Sequence, residues 1–187
     1  MFIQTEQTPN PATLKFLPGR AVLDDGTFDF PTAEAGARSP LARRLFDVDG
    51  VARVFLGADF VTVTKAADID WPVLKPAVLG AIMEHFTSGE PVIAAGESAA
   101  AAAAAAPSED EGEVEAQIRD LLDTRVRPAV AQDGGDIVFQ RFEDGVVYLH
   151  MQGSCQGCPS STATLKMGIE NLLRHYVPEV TEVRAVD

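Results

Sequence analysis

Apolar and polar positions recur along this chain with two periods, near two residues in some runs and near 3.6 in others, and the switches between them mark out its elements. Thr13-Leu14-Lys15-Phe16-Leu17 reads as a strand that stops at Pro18-Gly19. Thr27-Phe28-Asp29-Phe30 alternates as a second strand does. Ser39-Pro40 opens a helix, Ser as cap and Pro in the first turn, with Leu41, Leu45 and Phe46 on one face. Val51 to Leu56 and Phe60 to Thr64 predict two strands of a hairpin turning through Gly57-Ala58-Asp59. Asp70 is placed to cap a helix whose apolar face carries Trp71, Leu74, Val78, Leu79, Ile82 and Phe86; Pro76 falls inside it and predicts a kink.

The pattern after residue 112 is helix, strand, strand, helix, strand. Val114, Ile118, Leu121, Leu122 and Val126 share a helical face. Ile137 to Phe142 and Val146 to Met151 flank the turn Glu143-Asp144-Gly145. Leu165, Ile169, Leu172, Leu173 and Tyr176 make a second helical face, and Val180 to Val186 ends as a strand. Between the two patterns the periodicity fails. Residues 94–112 are nearly all alanine up to Ala106, followed by Pro107-Ser108 and the acidic run Glu109-Asp110-Glu111. Such a stretch has no apolar stripe to dock, so it reads as a linker. The expected fold is α+β: two small mixed α/β domains, 1–93 and 113–187, joined by the Ala-rich acidic linker 94–112.

Composition narrows the possible partners. Of 187 residues, 46% are hydrophobic and 23% charged, ordinary for a globular protein. The net charge of −13 is spread evenly: −4 over 1–93, −4 over 94–112 and −5 over 113–187. No segment is basic, which argues against a nucleic-acid partner, because phosphate binding is driven by Lys and Arg releasing counterions. An anionic membrane surface is disfavoured for the same reason. No apolar stretch is long enough to span a bilayer. The start, Met1 to Glu6, has neither the basic region nor the apolar core of a signal peptide, and it is not Arg-rich as transit peptides are. A cytoplasmic location is expected, with a mature organellar protein as the alternative.

The chemistry concentrates in Gly153-Ser154-Cys155-Gln156-Gly157-Cys158-Pro159-Ser160-Ser161-Thr162, between a strand and a helix. Cys155 and Cys158 are the only cysteines. A disulfide between them would close almost no loop, so the spacing points to metal binding or redox exchange. Thiolates are the metal ligands, and the N-terminus of the following helix, opened by Pro159, supplies a field that favours the anion. Gly153 and Gly157 allow a tight turn, and Ser160, Ser161 and Thr162 offer caps. An iron–sulfur cluster or a structural zinc wants four protein ligands; one chain offers two and a two-fold pair of chains offers four. On spacing alone three readings stand: a shared cluster or metal, a thiol–disulfide oxidoreductase, and two buried structural cysteines.

The combination of Val126-Arg127-Pro128, Asp133-Gly134-Gly135-Asp136 and the stretch Gly153 to Ser161 resembles the C-terminal domain of the NifU-like (Nfu) iron–sulfur scaffold family. Thr8-Pro9-Asn10-Pro11, Ser39-Pro40-Leu41-Ala42, Asp59 to Lys65 and Leu74-Lys75-Pro76 resemble that family's N-terminal domain. The resemblance implies a 4Fe-4S cluster held between two subunits by Cys155 and Cys158 of each, and delivered to apo-proteins late in cluster maturation. It implies a homodimer when loaded, upstream cluster-assembly proteins as donors, and client or partner binding by residues 1–93, which hold no cysteine. The remaining competitors are the oxidoreductase and a zinc-stabilised interaction module.

Other residues carry plainer expectations. His150, near the motif, could serve as a substitute ligand, but strand alternation is expected to turn it away. His85 and His175 read as surface or interface residues. Asp133 and Asp136 read as parts of a tight turn. Ser154 and Gln156 are candidate hydrogen-bond donors to sulfur. No Ser/His/Asp constellation or phosphate-cradling loop is present in the sequence, so no enzymatic turnover is expected.

Overall fold

The structure, a computed structural model, describes residues 1–24, 26–96, 112–156 and 159–186. The central part of the expected linker lies outside these residues, as do Gly157 and Cys158.

Residues 4–65 build a five-stranded sheet from β1 (Gln4–Gln7), β2 (Thr13–Leu17), β3 (Phe28–Phe30), β4 (Val51–Leu56) and β5 (Val61–Lys65). Every pairing is antiparallel and the order is β1-β2-β5-β4-β3. The alternation seen in the sequence assigns the faces. Leu14, Phe16, Val54, Leu56, Val61 and Val63 point to one side and join a single buried core. Helices α1 (Ala33–Gly36), α2 (Pro40–Phe46) and α3 (Trp71–Ser88) lie along that side, and α2 and α3 contribute Leu41, Ala42, Leu45, Leu74, Val78 and Ile82 to the same core. The Ser39 cap is as expected: its Oγ accepts from the Ala42 N–H at 3.0 Å and donates to the Val92 carbonyl. Asp70 stands at the cap position of α3 without a side-chain capping bond, so Pro72 in the first turn and the apolar face carry that helix start. The helix runs from Trp71 to Ser88 through Pro76. Strand β1 and helix α1 were not expected; β1 is wholly polar, and its partner β2 rather than its own pattern makes it a strand.

Residues 113–186 form the second unit. Helix α4 (Glu113–Leu121) runs into a π-helical turn, Leu122–Val126, and then α5 (Arg127–Gln132). One continuous helical face was expected to stop near Val126. It goes on to Val130, with Ile118, Leu121, Leu122 and Val126 also buried. Pro128 supplies the reason for the turn: it has no N–H for a regular i→i−4 bond, and a widened turn just before it absorbs the mismatch. Strands β6 (Gly135–Glu143) and β7 (Val146–Gly153) pair antiparallel through Asp144 and Gly145, both at positive φ (51° and 79°) as a two-residue hairpin turn requires. Helix α6 (Pro159–Tyr176) crosses over to β8 (Glu182–Val186), which pairs parallel to β7. Ile137, Val147, Leu149, Ile169 and Leu173 close this core. Tyr176, expected on the buried face of α6, is exposed and stacks edge-on with His175.

The helix-free face of the five-stranded sheet is not open to water. Lys15, Phe55 and Thr62 are register neighbours there, on β2, β4 and β5. Phe55 and Thr62 are each 1% exposed and Lys15 7%. Phe55 belongs to neither apolar core; the second unit covers it. This face lies against the ends of β6 and β7 and the loop that follows β7, which places residues 4–65 directly beside Cys155.

Candidate metal centre

The loop after β7 is built by backbone. Gly153 ends the strand at φ +63°, a left-handed conformation that side chains disfavour, and a Cβ there would lie 2.6 Å from the Gly134 carbonyl oxygen and 3.1 Å from the Phe55 ring. Gly135 is as constrained: a Cβ on it would come within 2.5 Å of the Cys155 sulfur. Two glycines thus let β6 and β7 close together and leave the space that Cys155 Sγ occupies. The Ser154 N–H donates to the Gly134 carbonyl at 3.3 Å and the Gln156 N–H to the Gly153 carbonyl at 3.2 Å. The Ser154 hydroxyl donates to the Asp133 carbonyl, and Thr162 Oγ1, in the first turn of α6, donates to the Cys155 carbonyl at 3.0 Å.

Cys155 is a free thiol, 6% exposed. Burial pushes it up to about 12, and the Asp133 and Asp136 carboxylates push the same way against a pull from Ser154. In the metal-free chain burial thus works against the anion that the α6 N-terminus is expected to favour. The dipole field fades beyond the first helical turn, and Cys155 lies four residues before Pro159 among buried atoms and acidic groups. Cys158 lies outside the described residues, so the structure gives no distance between the two sulfurs. Among the described residues no three His, Cys, Asp or Glu side chains converge as a metal site.

Asp136 does more than shape a turn. Its carboxylate is buried and accepts from Arg127 Nε and Nη2 at 2.8 Å each, from the Ile137 N–H at 2.8 Å, and from Thr27 Oγ1 at 2.8 Å. Hydrogen bonding to Asp136, helped by Asp123, raises Arg127 above the ordinary arginine value. The fork ties α5 to the start of β6 directly under the loop. Arg127 and Asp136 were quoted only within the family motif; their nine-residue spacing, helix to strand, carried no local signal of a pair. Asp133 serves the loop through its carbonyl, as a turn residue does. His150 turns away from the loop, its Nδ1 set 3.2 Å from the Val186 carbonyl. Gln156 Oε1 is buried without a hydrogen-bond partner among the described residues.

Sequence reasoning missed the reach of the first unit into this loop. Asn10, 6% exposed, accepts from the Ala12 N–H with Oδ1 and donates through Nδ2 to the Gln156 carbonyl at 3.1 Å, within the Cys-x-x-Cys segment itself. Thr62 Oγ1 donates to the Gly134 carbonyl at 2.8 Å, and Lys15 Nζ donates to the Gln132 carbonyl at 3.1 Å. Thr8-Pro9-Asn10-Pro11 is the nearest sequence signal, a stretch rich in turn residues whose target no local pattern discloses.

Comparison with known proteins places this architecture. Residues 3–89 match the family model for the N terminal of scaffold protein Nfu/NifU, and residues 118–184 match the model for the NifU-like domain. The two matched units are those of a two-domain scaffold protein. The chain belongs to the Nfu/NifU family. It is 52% identical over its whole length to the human "NFU1 iron-sulfur cluster scaffold homolog, mitochondrial", spanning 72% of that protein. It is 53% identical over 98% of its length to Arabidopsis thaliana "NifU-like protein 4, mitochondrial", spanning 65% of that protein. The solution structure of a NifU-like protein from Saccharomyces cerevisiae overlays on 52% of this chain and 87% of its own, with 28% identity and a TM-score of 0.46.

Proposed function

We propose that the chain is an iron–sulfur cluster scaffold and carrier: two copies hold one 4Fe-4S cluster as cargo through Cys155 and Cys158 of each, and release it to apo-proteins. The observation that carries this reading is the Cys155 loop, a thiol in a pocket made by Gly135 and Gly153, in a chain all of which matches 72% of a protein named as an iron–sulfur cluster scaffold homolog. Two sulfurs per chain leave a four-ligand centre half complete, and a two-fold pair completes it. The donor set is thiolate, which suits iron–sulfur clusters and zinc alike. The chain transports rather than turns over. Upstream cluster-assembly proteins are its donors and apo iron–sulfur proteins its clients, with residues 1–93 as the client-facing domain. The relatives named above are mitochondrial, and the organellar location that the sequence left open fits them.

Anaerobic reconstitution with iron and sulfide tests the reading. We expect about two irons and two sulfides per chain, a dimeric mass, and broad visible absorption from thiolate-bound iron. Cys155→Ser should lose most of the iron. A colourless zinc-binding chain, or a monomer whose cysteines cycle between dithiol and disulfide, would replace it with the zinc module or the oxidoreductase.

A further inference from the structure

The first unit sits on the loop that a second copy has to reach. Its helix-free sheet face and the turn at Asn10 touch the second unit on both sides of Cys155 along the chain: Asn10 on Gln156, Phe55 on Gly153, Thr62 on Gly134. Thr27 and Lys15 add contacts at Asp136 and Gln132, at the base of the same loop. All five lie within residues 132–136 and 153–156. Among the described residues none of the five involves α6, β8 or the far end of the β6–β7 hairpin. The contact is thus a cap over one site rather than a general packing of two domains.

Its chemistry also differs from that of the two cores. Each core is closed by aliphatic and aromatic side chains. Among the described residues the contact between the units instead shows four hydrogen bonds, three of them to backbone carbonyls, around Phe55, whose ring lies against that of Phe60. Polar groups of this kind find water when they part, so the surface can separate without the penalty that an exposed aliphatic core would carry.

We propose that residues 1–93 are a releasable cap on the chain's own cluster loop, and that the capped state and the two-copy, cluster-bearing state exclude each other. The inference rests on the shared-cluster reading above. A centre ligated from two chains needs the Cys155 sulfurs of both copies around one set of irons, within bonding distance. With Asn10 on Gln156 and Phe55 on Gly153, the flanks of that sulfur are already occupied. The cap keeps the sulfur of the empty site buried, 6% exposed and set against Gly135, and so shields it from alkylating reagents and oxidants. Loading displaces the cap, and the face carrying Lys15, Phe55 and Thr62 becomes free. The receptor for the loop is therefore a defined surface of the first domain, and its occupant is the empty loop of the same chain.

Two variants of the full chain test this: Asn10→Ala/Thr62→Val, which removes two of the contacts, and Thr27→Val as an independent one should the first fold poorly by circular dichroism. The first readout needs no cluster. In the Cys158→Ser background, alkylation of the metal-free protein by iodoacetamide reports Cys155 alone. The rate should rise about tenfold or more when the cap is weakened, and the radius of gyration from small-angle scattering should grow. Alkylation at the unaltered rate in both variants, with no expansion, overturns the cap. The second readout uses the chain with both cysteines. Hydrogen exchange at residues 10–16 and 55–62 should speed up on cluster loading; protection unchanged in a chain that has taken up iron and sulfide shows the two units to be one rigid body and overturns the exclusion. Failure to take up any iron and sulfide counts against the shared cluster instead, and leaves the alkylation result to decide the cap.

Discussion

At the scale of single residues, His85 shows most clearly how tertiary structure overrides a local pattern. On α3 it reads as a surface or interface position, yet it is fully buried with neither ring nitrogen hydrogen-bonded among the described residues, its ring set edge-on to Phe86. Burial lowers its proton affinity; Arg44 pushes the same way and Glu90 opposes. Because the folded value lies below the unfolded one, near 6.5, the unfolded chain takes up the proton first. Stability is whole above that value and is lost as pH falls through it. Urea midpoints measured from pH 8 down to 5.5 should therefore decline, and His85→Leu should flatten that decline without lowering the midpoint at pH 8. An equal decline in the variant would assign it to other groups. The two cysteines were legible from their spacing; the state of Cys155 was not, because burial and nearby carboxylates are properties of the folded neighbourhood.

At the scale of elements, periodicity revealed whatever an apolar face builds. Thr13–Leu17, the β4–β5 hairpin and the strands beside Asp144-Gly145 alternate because one side of each meets a core. β1 has no such side, and only hydrogen bonding to β2 defines it. The continuation of α4 through a π turn into α5 was hidden by Arg127-Pro128, where a proline ordinarily ends a helix. That continuation has a use. It aims Arg127 at Asp136 and fixes the start of β6, and hence Gly135, against Cys155. Arg127→Met should leave the Asp136 carboxylate buried with its guanidinium gone, at a cost of roughly 3 kcal/mol, the low end for a buried pair because Arg127 is about one-third exposed. Chemical denaturation followed by far-ultraviolet dichroism measures this. Asp136→Asn in the same background should recover part of the loss, since it removes the stranded charge; no recovery would mean that the arginine acts through packing of its stem.

At the scale of the whole molecule, the contact between the two units was the part least legible in sequence. Phe55, Thr62 and Lys15 sit out of phase with the core pattern and resemble the solvent face of an ordinary antiparallel sheet. Nothing local says that a loop of the second unit would cover them. The net charge of −13 acts at this scale too. On the proposed shared-cluster reading two copies bring like charge to like, so the loaded dimer should gain population as salt rises from low to physiological strength. Analytical sedimentation at two salt strengths reads this directly, and a dimer that weakens with salt would mean that opposite charges meet at its centre. In the proposed scheme the cap and the loop belong to one chain, whereas the dimer needs two. Capping is therefore a unimolecular step, indifferent to how much protein is present, and pairing is bimolecular. Dilution then favours the closed, protected thiol and abundance favours the carrier, so the amount of protein a cell makes helps to set how much of it is ready for cargo.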